Sequence, residues 1–194
     1  MLSSGKAAKM TRPLYSICVF CGARPGDDPA YTDAARALGA MLARHDWRLV
    51  YGAGDVGLMG EVARTTQANG GHTFGVIPAH LMDMEVGKQD LTQFVITENM
   101  HERKKVMFMN ADAIVTLPGG AGTLDEFFEV MTWRHLGLHE KPVYLLNING
   151  YWDKLLAVIE DIIRHGFADR KFLDYMSVIT SVEALEAAIL RARS

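Results

Sequence analysis

Short apolar runs recur along the chain and alternate with longer stretches whose apolar positions repeat at helical spacing. The runs Ser16–Cys21, Arg48–Tyr51, Thr73–Ile77, Phe94–Thr97, Ala113–Leu117 and Val143–Leu146 predict strands, with Val178–Thr180 as a weaker seventh. Helical periodicity predicts helices over Ala30–Arg44, Leu58–Asn69, Met100–Asn110, Leu124–Leu136, Trp152–His165 and Val182–Arg193. Several of the strand runs are continuously apolar, as expected where both faces of a sheet are covered. Strands and helices taking turns predict an α/β fold: a doubly wound, mainly parallel sheet with helices on both faces. In such folds ligands sit beyond the carboxyl ends of the strands, where strand order reverses. Chemistry is therefore sought in the turns that follow strands.

The turn after Ala113–Leu117 reads Pro118-Gly119-Gly120-Ala121-Gly122-Thr123-Leu124-Asp125-Glu126. Three glycines let the backbone approach a ligand and turn its N–H groups inward. The helix that follows adds unpaired N–H donors and the positive end of its dipole, which together make an anion site suited to phosphate. No Gly-Lys-Ser/Thr follows, so this is not the Walker loop. Thr123-x-x-Glu126 also reads as a capping box, with Thr123 as N-cap. A carboxylate one turn from a bound phosphate is at the same time where a ribose would lie.

A second glycine loop, Gly52-Ala53-Gly54-Asp55-Val56-Gly57-Leu58-Met59-Gly60, matches G-x-G-x-x-G literally. It follows the second strand rather than the first, and no acid ends Phe74-Gly75-Val76-Ile77-Pro78 to hold a ribose diol. A mononucleotide site flanked by Gly52, Gly54 and the Gly119–Gly122 loop explains both clusters better than a dinucleotide.

In Glu98-Asn99-Met100-His101-Glu102-Arg103-Lys104-Lys105, Asn99 and Glu102 form a second capping pair. Met100 and Met107 are one heptad apart and mark the inward stripe of this helix. Arg103 lies on that stripe, so its guanidinium must meet an anion or polar ligand, form a structural salt bridge, or snorkel outward. Lys104 and Lys105 read as solvated, with Lys104 able to reach a phosphate. Cys18-x-x-Cys21 spans a strand, which sends the thiols to opposite faces as core cysteines. The histidines show no metal-ligand spacing. Phe127, Phe128 and Trp133 read as core or as a subunit contact.

Composition narrows the classes. The 194 residues suggest one domain over 14–194, and 49% apolar residues supply its core. Residues 1–13 are small and polar, and read as a flexible N-terminus. The charge of −3 recruits neither nucleic acid nor an anionic membrane. Two cysteines exclude a disulfide scaffold and favour a reducing compartment, hence a cytoplasmic location.

Met100-His101-Glu102-Arg103-Lys104, followed by Pro118 through Glu126, resembles the signature of the LONELY GUY (LOG) family of cytokinin riboside 5′-monophosphate phosphoribohydrolases. The likeness runs from about Ser16 to Phe167, through Cys18-Val19-Phe20-Cys21-Gly22, Gly57-Leu58-Met59-Gly60 and Thr132-Trp133-Arg134-His135-Leu136-Gly137. It implies a Rossmann-like fold, a homodimer with active sites near the subunit interface, and hydrolysis of the N-glycosidic bond of a nucleoside 5′-monophosphate without a cofactor. By the same resemblance Arg103 and Glu126 are the catalytic pair, and Gly119, Gly120, Ala121, Gly122 and Thr123 bind the phosphate with Lys104 nearby. Glu85 and Thr132 match further positions expected at the substrate. Two departures, Ala53 where many members have glycine and His135 where glutamine is common, bear on base preference.

Breaking the glycosidic bond builds positive charge on the ribose. Glu126 is expected to stabilise that charge and orient or deprotonate water, while Arg103 holds phosphate or hydroxyl. A guanidinium is a poor proton donor, so the acid that protonates the base is unassigned, with Glu85 as a candidate. A non-catalytic nucleotide carrier using the same loops is the alternative. Lysine decarboxylation, a label often given to this family, requires a lysine Schiff base with pyridoxal phosphate, and no lysine stands out as its anchor.

Overall fold

The computed structural model describes residues 14–82 and 90–194. The expectation for residues 1–13, and Glu85 with it, lies outside the described residues.

Seven strands form one sheet: β1 (Ser16–Phe20), β2 (Arg48–Tyr51), β3 (Thr73–Pro78), β4 (Gln93–Thr97), β5 (Ala113–Thr116), β6 (Val143–Leu146) and β7 (Ser177–Ile179). Among the described residues six α-helices connect and follow them: α1 (Pro29–Arg44), α2 (Gly57–Ala68), α3 (Met100–Met109), α4 (Ala121–His135), α5 (Asp153–Arg164) and α6 (Val182–Arg193). The strand order is β4-β3-β2-β1-β5-β6-β7, and each of the six pairings is parallel. The chain winds outward from β1 to β4, then returns to β5 at the other side of β1. That return makes the crevice between the carboxyl ends of β1 and β5 the topological switch point.

Side-chain alternation along the strands divides the core into two layers. Ile17, Val19, Leu49, Tyr51, Val115 and Leu146 pack against α1, α2 and α6. Cys18, Phe20, Val50, Val76, Ile114 and Leu145 face α3, α4 and α5. Cys18 and Cys21 fall in different layers, both as free buried thiols, as the strand spacing predicts. Burial above all, and then the Glu126 carboxylate, raise the pKa of both thiols. Full burial of one such aliphatic side chain contributes about 1.5–3 kcal/mol relative to exposure. No helix among the described residues is long and apolar enough to cross a membrane.

One boundary departs from expectation in a way that matters. Helix α4 starts at Ala121, not Leu124, with Gly120 as its N-cap and no side-chain cap. Thr123 is therefore not an N-cap, and the Thr123–Glu126 capping box does not form. Thr123 is instead buried in the first turn of the helix. Glycines at 119, 120 and 122 let the backbone enter the helix earlier than an apolar pattern can signal. The capping pair at α3 is present: Asn99 accepts the Glu102 N–H at 3.0 Å. Glu102 in turn accepts the Glu98 N–H at 2.9 Å, one residue before the usual capping-box position.

Candidate active site

A cavity of about 660 Å³ opens at the switch point. It is lined by the turn after β1 (Cys21–Asp27), the turn after β5 (Pro118–Gly120) and the start of α4, together with Leu58, Met59, Leu81, Met100 and Arg103 and the rings of Tyr31 and Tyr151.

The two turns are packed backbone to backbone. Gly22 donates its N–H to Pro118 O at 3.0 Å. A methyl group on Gly119 would lie 2.9 Å from Gly22 N and 2.7 Å from Thr123 Cβ. A methyl on Gly120 or Gly122 would meet nothing within 4 Å. Glycine at 119 is thus needed for close packing, whereas 120 and 122 leave open space beside the helix N-terminus. With no side chain capping α4, its first N–H groups and dipole are available to an anion in the cavity.

Arg103 reaches the cavity from α3. It is 4% exposed, so it does not snorkel outward. Its Nε donates to Val76 O at 3.1 Å and its Nη2 to Gly52 O at 2.7 Å, and Met100 Sδ lies 3.7 Å from Nη1. Main-chain carbonyls at the ends of β3 and β2 therefore aim the guanidinium. Gly52 makes this possible, because a methyl there would sit 2.9 Å from Arg103 Cζ.

Of the residues singled out in the sequence, Arg103, Gly119, Gly120, Gly122, Thr123 and Glu126 line the cavity together. Among the described residues the wall does not include Gly52, Gly54, Lys104, Ala121 or Thr132. Gly52 acts one step back, through Arg103. Lys104 is neither solvated nor turned into the cavity. It is buried, and its Nζ pairs with Asp125 Oδ2 at 2.9 Å and Glu129 Oε1 at 3.2 Å. Burial opposes its charge, but hydrogen bonds and Coulomb attraction from both carboxylates outweigh that and raise its pKa. Thr132 is exposed on α4, in a shallow groove with Leu124, Phe128 and Trp133. His135 is at the far end of α4, its ring near Phe172 and Tyr175, about 13 Å along the helix from Glu126. Of the three aromatic residues on α4, Phe127 is fully buried while Phe128 and Trp133 are half-buried against the core. Among the described residues no group of three or more His, Cys, Asp or Glu side chains could hold a metal ion.

Sequence reasoning did not single out the Ala23–Asp27 turn, Tyr31 or Tyr151 as cavity residues. The rule that ligands sit after strands already pointed to the first of these. Tyr151 follows a left-handed Asn149–Gly150 turn after β6, and only the Asn-Gly pair hinted at it.

Residues 59–189 match the family described as possible lysine decarboxylase. The chain is 45% identical over 157 residues to the probable cytokinin riboside 5′-monophosphate phosphoribohydrolase LOG4 of Oryza sativa subsp. japonica, covering 81% of this chain and 68% of that protein. It is 46% identical over 151 residues to the cytokinin riboside 5′-monophosphate phosphoribohydrolase LOG7 of Arabidopsis thaliana, covering 78% and 70%. This chain belongs to the LOG family. Solved structures share the fold. A molybdenum cofactor binding protein from Rippkaea orientalis superposes with a TM-score of 0.70 at 19% identity, covering 96% of this chain and all of that one. The Moco carrier protein of Chlamydomonas reinhardtii gives 0.69 at 21%, covering 92% and 96%. At these identities the likeness shows the Rossmann-like fold alone.

Proposed function

We propose that this LOG-family chain is an N-glycosidic hydrolase that cleaves a purine nucleoside 5′-monophosphate, of cytokinin type or AMP, into free base and ribose 5-phosphate. One observation carries this reading: Arg103, Glu126 and a helix N-terminus without a side-chain cap converge on one cavity at the switch point. The activity named for the LOG relatives supports it.

The 5′-phosphate sits at the start of α4, held by N–H groups of the Gly119–Thr123 segment, Ala121 among them. This places the ribose beside Glu126 in the first turns of the helix. As the C1′–N bond lengthens, the sugar gains positive charge that the Glu126 carboxylate stabilises while it orients water toward C1′. Water supplies the hydroxyl at C1′ and the departing base takes a proton. Arg103, aimed by the Val76 and Gly52 carbonyls, lines the cavity and bears on a substrate hydroxyl or phosphate oxygen. Grip on the phosphate provides binding energy that positions the sugar, so monophosphates should be cleaved in preference to nucleosides. Glu85 stays assigned to the substrate through the family resemblance, as a candidate proton donor. Lys104 contributes by joining α3 to α4.

Pyridoxal phosphate does not fit. Among the described residues no lysine lines the cavity, and the nearby Lys104 ammonium is committed to two carboxylates.

Residues 14–194 act as one nucleotide-binding domain, in a cytoplasmic homodimer. Asp125 borders both the cavity and the shallow groove holding Leu124, Phe128, Thr132 and Trp133, and Leu136 and Leu138 beyond it are exposed. A second copy docked on this face would cover apolar surface and give Thr132 a route to a substrate. Light scattering on the purified chain tests this, and a monomer at micromolar concentration rules it out.

The activity is tested by incubating the protein with AMP and with isopentenyladenosine monophosphate and following free base by chromatography. Base release from either is expected. Glu126→Gln and Arg103→Ala should each slow it at least about 100-fold. Wild-type rates in either variant refute that residue's role, and tight binding without turnover favours a carrier instead.

A further inference from the structure

The segment at the mouth of the cavity contains two adjacent glycines, and a Gly–Gly peptide is the easiest in a protein to flip, since neither flanking residue has a Cβ. An anion cradle made from it would pay ordering entropy at each binding event unless something outside the loop held it. The structure supplies that restraint at three successive carbonyls. Pro118 O accepts the Gly22 N–H at 3.0 Å, and Gly120 O accepts the Leu124 N–H at 3.1 Å. Between them, Gly119 O accepts the Tyr151 hydroxyl proton at 2.6 Å. The first two donors are backbone groups of the fold itself. The third is one side chain from a different turn.

In a trans peptide the N–H points opposite to the carbonyl. Fixing Gly119 O toward Tyr151 therefore turns the Gly120 N–H to the other side, and both residues line the cavity. We propose that Tyr151 is a positioning residue for the anion cradle, locking the Gly119–Gly120 peptide so that the Gly120 N–H is presented to the substrate phosphate before it arrives. The inference rests on the phosphate-cradle reading above and adds a residue that neither glycine motif contains.

The turn after β6 is built to hold this tyrosine in place. Asn147 is buried; its Oδ1 accepts the Trp152 N–H at 2.7 Å and its Nδ2 donates to Asp153 Oδ1 at 2.8 Å. Asn149, with φ of 50°, donates to Asp28 Oδ2 at 2.9 Å, and Asp28 Oδ1 accepts the Ala30 N–H at the start of α1. The Tyr151 ring meets Tyr31 edge-on at 5.3 Å and Trp152 at 4.6 Å. The hydroxyl thus arrives at Gly119 from a ring that is already braced on two sides.

Tyr151→Phe removes the hydroxyl and keeps the ring. Calorimetry on the full chain, with ribose 5-phosphate and separately with adenosine, tests the inference, alongside kinetics with AMP. Ribose 5-phosphate binding should weaken about 5–10-fold, the worth of one hydrogen bond. Adenosine binding should stay at its wild-type value, the melting temperature should fall by no more than about 6 °C, and KM for AMP should rise with kcat nearly unchanged. Unchanged ribose 5-phosphate affinity overturns the role of Tyr151 while leaving the cradle intact. Equal weakening toward adenosine overturns it too, since that marks a general structural effect. A wild-type protein that binds AMP but not ribose 5-phosphate overturns the cradle itself, and the inference with it.

Discussion

Gly52→Ala tests how Arg103 is aimed without touching Arg103. Gly52 does not have a positive φ, so the backbone accepts alanine and the consequence is steric. The new methyl would lie 2.9 Å from Arg103 Cζ and closer to Nη2, against ordinary contact from 3.4 Å. To bring Nη2 to ordinary contact the guanidinium must retreat by about 1.3 Å, which breaks the 2.7 Å bond from Nη2 to Gly52 O and lengthens the 3.1 Å bond from Nε to Val76 O. Hydrogen bonds from a charged donor contribute about 1.5–3 kcal/mol each. Losing one and weakening the other, with some recovery by cavity water, costs about 2–4 kcal/mol. A domain of this size loses about 2–4 °C of melting temperature per kcal/mol, so the variant should melt about 4–16 °C lower. Displacing the proposed catalytic guanidinium on this scale should also cut kcat/KM for AMP about 100-fold. Thermal melting by circular dichroism and the base-release assay read the two effects. A variant melting within about 1 °C of wild type and turning over within about twofold would refute the placement of the guanidinium against Gly52.

Two further substitutions probe the neighbouring elements. Lys104→Met leaves Asp125 and Glu129 without their shared cation; because Asp125 is exposed and rehydrates, the loss should be about 1–3 kcal/mol in urea melts. The folded-state pKa of Lys104 is raised, so its stabilisation is complete below the unfolded value near ~10.4 and fades as pH climbs through the folded one. The gap between wild type and Lys104→Met should therefore narrow from pH 8 to pH 11, and a constant gap would contradict the pairing. Gly119→Ala and Gly120→Ala should part company: the first drives a methyl into Gly22 N and Thr123 and destabilises by about 1–3 kcal/mol. The second costs at most about 1 kcal/mol at the N-cap yet raises KM for AMP at least about tenfold, and a wild-type KM would move the phosphate away from residue 120.

Much of this fold was legible because the strands are short apolar runs closed by glycine, proline or asparagine. Arg48–Tyr51 and Val143–Leu146 match the sequence reading residue for residue, as does Val182–Arg193 among the helices. The start of α4 was not, because Thr123-x-x-Glu126 is a valid capping pattern that the glycines before it pre-empt. Arg103 was placed inward from its spacing to Met100 and Met107. The same arithmetic applies to Lys104, four residues after Met100 and three before Met107. Its carboxylate partners lie on another helix, 21 and 25 residues on, and residue spacing along α3 could not reveal them. Tyr151 was hidden for a similar reason, since its meaning comes from a carbonyl 32 residues earlier.

The contact between Gly22 and Gly119 constrains how this chain can change over time. A side chain at 22 would come within 3.3 Å of Gly119 Cα, and one at 119 within 2.9 Å of Gly22 N. Two turns nearly a hundred residues apart thus share a gap no wider than two bare backbones, so drift at either is frozen unless both spread in concert. New ligand preferences have to enter instead through Ala23 and Arg24, which line the cavity beside that gap and are exposed.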